Sequence, residues 1–139
     1  MKTKIMYVLF SLLCCLSCTE KEDMAALQGT KWKLAGFVDA QTGELTVAEP
    51  QDCEECYTLA FDTDHTAVAH SIIMDVNLDL LDLAFDKPYQ KMYIDEGHRH
   101  GSDFRLAIFT TGLFSVTPDE LKLFYNYKKN YLLFKLIEQ

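Results

Sequence analysis

The sequence predicts a mainly β protein, a small curled antiparallel sheet or barrel of about seven to eight strands with one crossing helix near 102–111. Three observations carry this. Apolar and polar residues alternate at period two through most of the chain after Gly29, the pattern of strands with one buried face. The period changes once, where Phe104, Ala107 and Ile108 repeat at helical spacing. No repeat, low-complexity tract or Pro/Gly-rich linker divides residues 27–139, which therefore read as a single β-rich domain. Curling such a sheet also hides edges that would otherwise pair with neighbours.

The elements follow in order. Lys2 and Lys4 lead into the apolar run Ile5 to Leu16, and the chain continues Ser17-Cys18. A cationic start, a short apolar core and a small residue before the cut describe a secretory signal peptide. The run falls short of the roughly 20 apolar residues that a membrane span needs. Cys14 follows Leu13, which is too large for the position before cleavage, Cys15 follows Cys14, which is less usual there, and Cys18 follows Ser17 and Leu16, which fits best, so Cys18 is the expected lipidation site. Residues 1–17 then form a lipoprotein signal peptide and 18–26 a lipid-anchored acidic tether, since Thr19-Glu20-Lys21-Glu22-Asp23 is too polar to pack.

Residues 24–29 suit one helical turn closing at Gly29. Thr30 to Val38 is the first strand, with Trp32, Leu34 and Val38 on one face and Lys31 and Lys33 opposite. A turn at Gln41-Thr42-Gly43 and a polar loop over 48–55 precede a second strand, Cys56 to Phe61, which aligns Tyr57, Leu59 and Phe61. Asp62-Thr63-Asp64 turns the chain into a partner strand, His65 to Ile73. Val76 to Phe85 reads as strand, although Leu80, Leu81, Leu83 and Ala84 would also suit a helix, and Lys91 to Ile94 is a short strand. Ser102 or Asp103 would cap the helix and Gly112 would end it. The tail is a hairpin: Leu121 to Tyr125, a turn over 126–130, and Tyr131 to Leu136.

Charge excludes some functions. The formal net charge is −8. It becomes −10 once Lys2 and Lys4 leave with a leader that carries no acid. Such a chain repels nucleic-acid phosphates and cannot dock on an anionic membrane by charge, so the acyl anchor, palmitate included, would hold it there.

Cys53-Glu54-Glu55-Cys56 is the sharpest local motif. An oxidising compartment favours a disulfide between Cys53 and Cys56. A redox pair would want a lowered thiol pKa, which Asp52, Glu54 and Glu55 oppose. A zinc site would need two further ligands, and His98 and His100, with His65 or His70 as alternatives, are weak candidates to join Cys53 and Cys56. The polar stretch Asp95 to Asp103 otherwise reads as a solvated loop. Asp75, Asp79, Asp82 and Asp86 fall on both strand faces and make neither a calcium cage nor an acid–base pair. No nucleophile elbow or phosphate-cradling glycine loop is legible. Trp32 is expected in the core. As ligand or contact candidates it is joined by Tyr57, Tyr125 and Tyr127, because the aromatics crowding the tail cannot all point inward.

Several stretches resemble known families. The leader ending at Cys18, with a lysine among acids behind it, resembles the signal of Bacteroidetes lipoproteins exported to the cell surface, and Cys53-x-x-Cys56-Tyr57-Thr58-Leu59-x-Phe61-Asp62 is similar to their small domains. Leu27-Gln28-Gly29-Thr30-Lys31-Trp32-Lys33-Leu34, the helix Phe104 to Leu113 and the closing hairpin resemble META/HslJ-type domains, although the glycine-rich, asparagine-containing motif at their centre is missing here. Gly29-Thr30-Lys31-Trp32 also resembles the Gly-x-Trp opening of lipocalin-like barrels, one residue too long. The resemblance implies an outer-membrane lipoprotein of the cell envelope, periplasmic or surface-facing. The reading that follows is a non-enzymatic binding or accessory module without cofactor, touching the membrane through its anchor and an envelope protein or small apolar ligand through its domain. The rivals are a small apolar-ligand carrier whose cup is lined by Trp32, Leu34, Tyr57 and Leu59, and a thiol-redox or zinc protein using Cys53 and Cys56.

Overall fold

The computed structural model describes residues 25–62, 66–79 and 96–139. The signal peptide, Cys18, the acidic tether as far as residue 24, the turn after Asp62, the second half of the 76–85 segment and the strand expected over 91–94 lie outside the described residues. Among the described residues, eight antiparallel strands form one curled sheet with one α-helix: β1 (Lys31–Asp39), β2 (Leu45–Val47), β3 (Thr58–Phe61), β4 (Thr66–His70), β5 (Asp75–Asp79), α1 (Arg99–Phe109), β6 (Leu113–Val116), β7 (Glu120–Tyr125) and β8 (Asn130–Glu138). The strand order is β5-β4-β3-β1-β8-β7-β6, and β2 pairs with β1 off that path. β1 is the spine. One edge pairs along its length with β8. The other is shared, Lys31 to Lys33 pairing with β3 and Gly36 to Val38 with β2.

The core lies where the sheet curls around α1. Trp32, Tyr57, Leu59, Leu121, Leu132 and Phe134 are buried together with Phe104, Ala107 and Ile108 of the helix. Phe104 meets Tyr57 edge-on at 5.4 Å and Phe134 at 6.2 Å between ring centroids, an arrangement suited to the quadrupoles of the rings. Trp32 donates its indole N–H to Thr30 Oγ1 at 2.8 Å, which satisfies its polar end inside the core. At the near end of β1, a helical turn over residues 25–27 leads through Gly29 (φ 73°), whose N–H donates to the Phe61 carbonyl.

Four expectations need correction. First, β1 does not keep Trp32, Leu34 and Val38 on one face. Its register on β8 shifts between Leu34 and Gly36. A bulge inserts one residue, so every later side chain changes face. Val38 is buried but stands apart from the core cluster, and Phe37 packs against that cluster instead. Second, α1 begins at Arg99, capped by His98, whose Nδ1 accepts from the His100 amide at 3.1 Å. Neither Ser102 nor Asp103 caps it. The helix ends before Gly112, where Thr110 and Thr111 hydroxyls each donate to last-turn carbonyls at 2.8 Å. Third, β2 and β6 are short strands that the period-two pattern did not place: the residues of β2 are all exposed, and β6 turns only Phe114 and Val116 toward the core. Fourth, β3 starts at Thr58, because Tyr57 is left-handed (φ 59°), although its carbonyl still accepts from the Leu34 amide and its side chain joins the core.

Candidate binding groove

Of the stretch expected as a solvated loop over 95–103, the described residues 96–103 are partly buried, because α1 starts within them and Glu96 and His100 pack inward. Glu96 is 4% exposed. It accepts from Ser71 Oγ, from the Ile72 and Ile73 amides at 3.3 and 3.4 Å, and from Arg105 Nε at 2.9 Å. Burial pushes its pKa up, but the hydrogen bonds from Ser71 and Arg105, the guanidinium charge and the Ile73 amide together hold it below the ordinary carboxylate value. A Cβ at Gly101 would come within 2.5 Å of Glu96 Oε2, so the helix can approach the carboxylate only at a glycine. This network ties the first turns of α1 to the β4–β5 connection. Nothing in the sequence pattern announced it beyond an acid and an arginine nine positions apart.

With α1 fixed, its exposed stripe faces the far end of β1 and the β7–β8 hairpin across a groove of about 930 Å³. From the helix come Arg99, Asp103, Leu106 and Thr110, four residues at helical spacing and all exposed. Opposite stand Phe37, Thr46 and Tyr125, and the hairpin turn adds Asn126, Tyr127 and Lys128. Phe37 is there because of the bulge, a device that commonly re-aims a side chain beside a functional site. Its ring lies 5.3 Å from that of His100.

His100 also lines the groove. Its Nδ1 accepts from the Glu49 amide at 3.0 Å, which leaves the ring proton on Nε2. Burial foremost, with His98 and Arg99 nearby, lowers its pKa below the ordinary histidine value despite Asp103 and Glu49, so the ring is neutral at pH 7. Burial and the Asp103 charge raise the pKa of Tyr125, which keeps its hydroxyl as a donor. The hairpin turn holds Asn126, Tyr127 and Lys128 in succession at φ 52°, 54° and 63°. Left-handed backbone costs an L-residue other than asparagine or glycine roughly 1–2 kcal/mol. Tyr127 accepts that strain while standing 94% exposed, so its ring does not repay it by packing.

The other candidates are placed as follows. Trp32 and Tyr57, at 2% and 1% exposure, are core residues. The Tyr57 hydroxyl donates to the Glu49 carbonyl, and burial, then the charges of Glu96, Asp103 and Glu49, push its pKa up. The cup expected from Trp32, Leu34, Tyr57 and Leu59 is therefore overturned at those residues, because α1 and its Phe104 fill that space. Cys53 and Cys56 are joined by a disulfide. Lys33 Nζ donates to the carbonyls of both, at 2.7 Å to Cys53, and ties the loop to β1. Burial lowers the lysine's pKa against the opposing charge of Glu54. Disulfide sulfurs are not thiolates, so Cys53 and Cys56 do not join His98 and His100 as ligands. Among the described residues no three His, Cys, Asp or Glu side chains stand together to hold a metal. Among the same residues no helix is long and apolar enough to cross a membrane.

No family model matches the chain. It is 33% identical over 109 residues to a Tannerella forsythia protein named "Putative lipoprotein", covering 78% of this chain and 74% of that one. Its fold is similar to that of a DUF4847 family protein from Bacteroides vulgatus ATCC 8482, with a TM-score of 0.57 over 83% of this chain and 97% of the other. At 16% sequence identity that likeness concerns the fold alone. Neither comparison names a META/HslJ-type or lipocalin-like protein.

Proposed function

The chain belongs to the family of that Tannerella forsythia lipoprotein, and on that premise we propose that it is an outer-membrane lipoprotein, anchored through Cys18, whose β domain is a non-enzymatic binding module working through the groove. The observation that carries this is the placement of the groove along β1. The described chain enters beside Phe61 at the start of β1, whereas the groove and its hairpin lie at the other end. A nine-residue strand spans about 30 Å at roughly 3.3 Å per residue. An anchor upstream of residue 25 thus leaves the groove on the far side of the domain from the membrane, facing whatever the compartment offers. The volume is of the size that binding clefts have, about 300–1,000 Å³.

Two experiments test this. Cells fed an alkynyl fatty acid should label the wild-type protein and not the Cys18→Ala variant; equal labelling would place the lipid elsewhere or nowhere. A photoreactive amino acid at Leu106 or Tyr127 should then yield a discrete adduct in the intact envelope. The same probe at Ile137, on β8 beside the entry end of β1, should not give that adduct. Identical adducts from all three positions, or none, would overturn the groove as the working surface.

A further inference from the structure

We infer that the groove docks an extended, acidic segment of a partner protein, laid along the exposed stripe of α1. This rests on the reading of the groove as a binding surface and adds the chemistry of its occupant. Three observations converge. The first is charge. The whole chain carries −8, yet the groove presents Arg99 and Lys128 against one carboxylate, Asp103. Among the described residues neither cation is engaged in an ion pair. An acidic segment is repelled by the rest of the surface and attracted here, which fixes where it lands.

The second is residue type. Tyrosine and arginine are the side chains that most often carry binding energy at protein interfaces, and tyrosine supplies large rigid contact at low entropic cost. Tyr125 and Tyr127 flank the groove with Arg99. Tyr127 is held out by a strained turn and buries almost nothing in the free protein. Strain without packing gain is what a preformed contact looks like.

The third is the pattern of hydrogen-bonding groups. Asp103 offers acceptors, and His100 carries its proton on Nε2. Backbone amides and carbonyls of an extended chain would use both, whereas a small anion would leave Asp103 facing like charge. The eleven residues of α1 span about 16 Å, which matches about five residues of extended chain.

The test is selection of a phage-displayed random peptide library on the full-length chain in detergent, followed by affinity measurement with the enriched peptides. Enriched peptides should carry at least one acidic residue beside aliphatic ones. Their affinity should fall at least about tenfold in Arg99→Glu/Lys128→Glu, and similarly in Tyr127→Ala. It should also weaken severalfold between low and high salt. All three positions are exposed, and thermal melting of the variants confirms that they fold. Enriched peptides that are neutral or basic, yet need Tyr127, would overturn the acidic occupant while leaving the groove as a binding surface. Peptides that bind all variants equally, or no enrichment at all, would overturn both. Laurate bound in place of peptides, and lost in Tyr127→Ala, would overturn the protein partner in favour of a small amphiphilic anion.

Discussion

Replacing Glu96 by glutamine tests the buried ion pair with little change of shape. The amide keeps the side-chain volume, and its oxygen can still accept from Ser71 Oγ and the Ile72 and Ile73 amides. What changes is the position 2.9 Å from Arg105 Nε, where an NH₂ group now opposes an N–H donor. The Arg105 side chain, 10% exposed, is left as a nearly buried cation without a counter-charge. Removing one partner of a buried pair costs about 3–5 kcal/mol. Arg105 retains a long contact to Ser102 Oγ at 3.4 Å and a solvent-touching edge, which places the expected loss near the lower bound, about 3 kcal/mol. Urea unfolding of the full-length protein at pH 7 measures it as a fall in midpoint at unchanged slope. Adding Arg105→Met should recover part of the loss, because the double variant buries no charge. A loss under about 1 kcal/mol, or strictly additive effects in the double-mutant cycle, would refute the claim that these charges pin α1 to the β4–β5 connection.

Other expectations are simpler to state. Trp32→Ala should cost about 3–5 kcal/mol, since the ring is buried in the core; an unmoved urea midpoint would remove Trp32 from the core. Tyr127→Gly should leave stability unchanged or raise it by about 0.5–1 kcal/mol, because relief of left-handed strain outweighs the entropy of glycine. A lower melting temperature would show that the Tyr127 ring packs after all. Acid should destabilise the fold in two windows of the same sign. His100 has a depressed folded pKa, so its contribution is intact above 6.5 and is lost as pH falls through the lower folded value. Glu96, also depressed, contributes fully above 4.5 and loses that contribution as pH falls through its own folded value. Stability measured from pH 8 to 3 should therefore decline first below 6.5 and again below 4.5, and a rise on acidification would contradict both assignments. Reducing the Cys53–Cys56 bond should cost no more than about 2 kcal/mol by loop entropy, because the closed loop is so short. A loss much beyond that in urea with reductant would give the pair a larger role.

Local pattern by itself determined much of this protein. Alternation in β1, β7 and β8, the turn at Gly29, the switch to helical spacing at Phe104 and the turn chemistry of the last hairpin are set by neighbours a few residues apart, and period and turn type are short-range properties of the chain. The stripe Arg99, Asp103, Leu106 and Thr110 emerged only when the structure began the helix at Arg99. What it faces was not legible either. The bulge that turns Phe37 inward exists only because β1 must register on β8. The Glu96–Arg105–Ser71 network joins positions brought together solely by the packing of α1 against the β4–β5 connection. The groove is the space between a helix and a hairpin that share no local pattern. Tertiary structure decided these because register and helix placement are fixed by long-range burial, and no window of sequence carries a record of which distant surface will stand across from it.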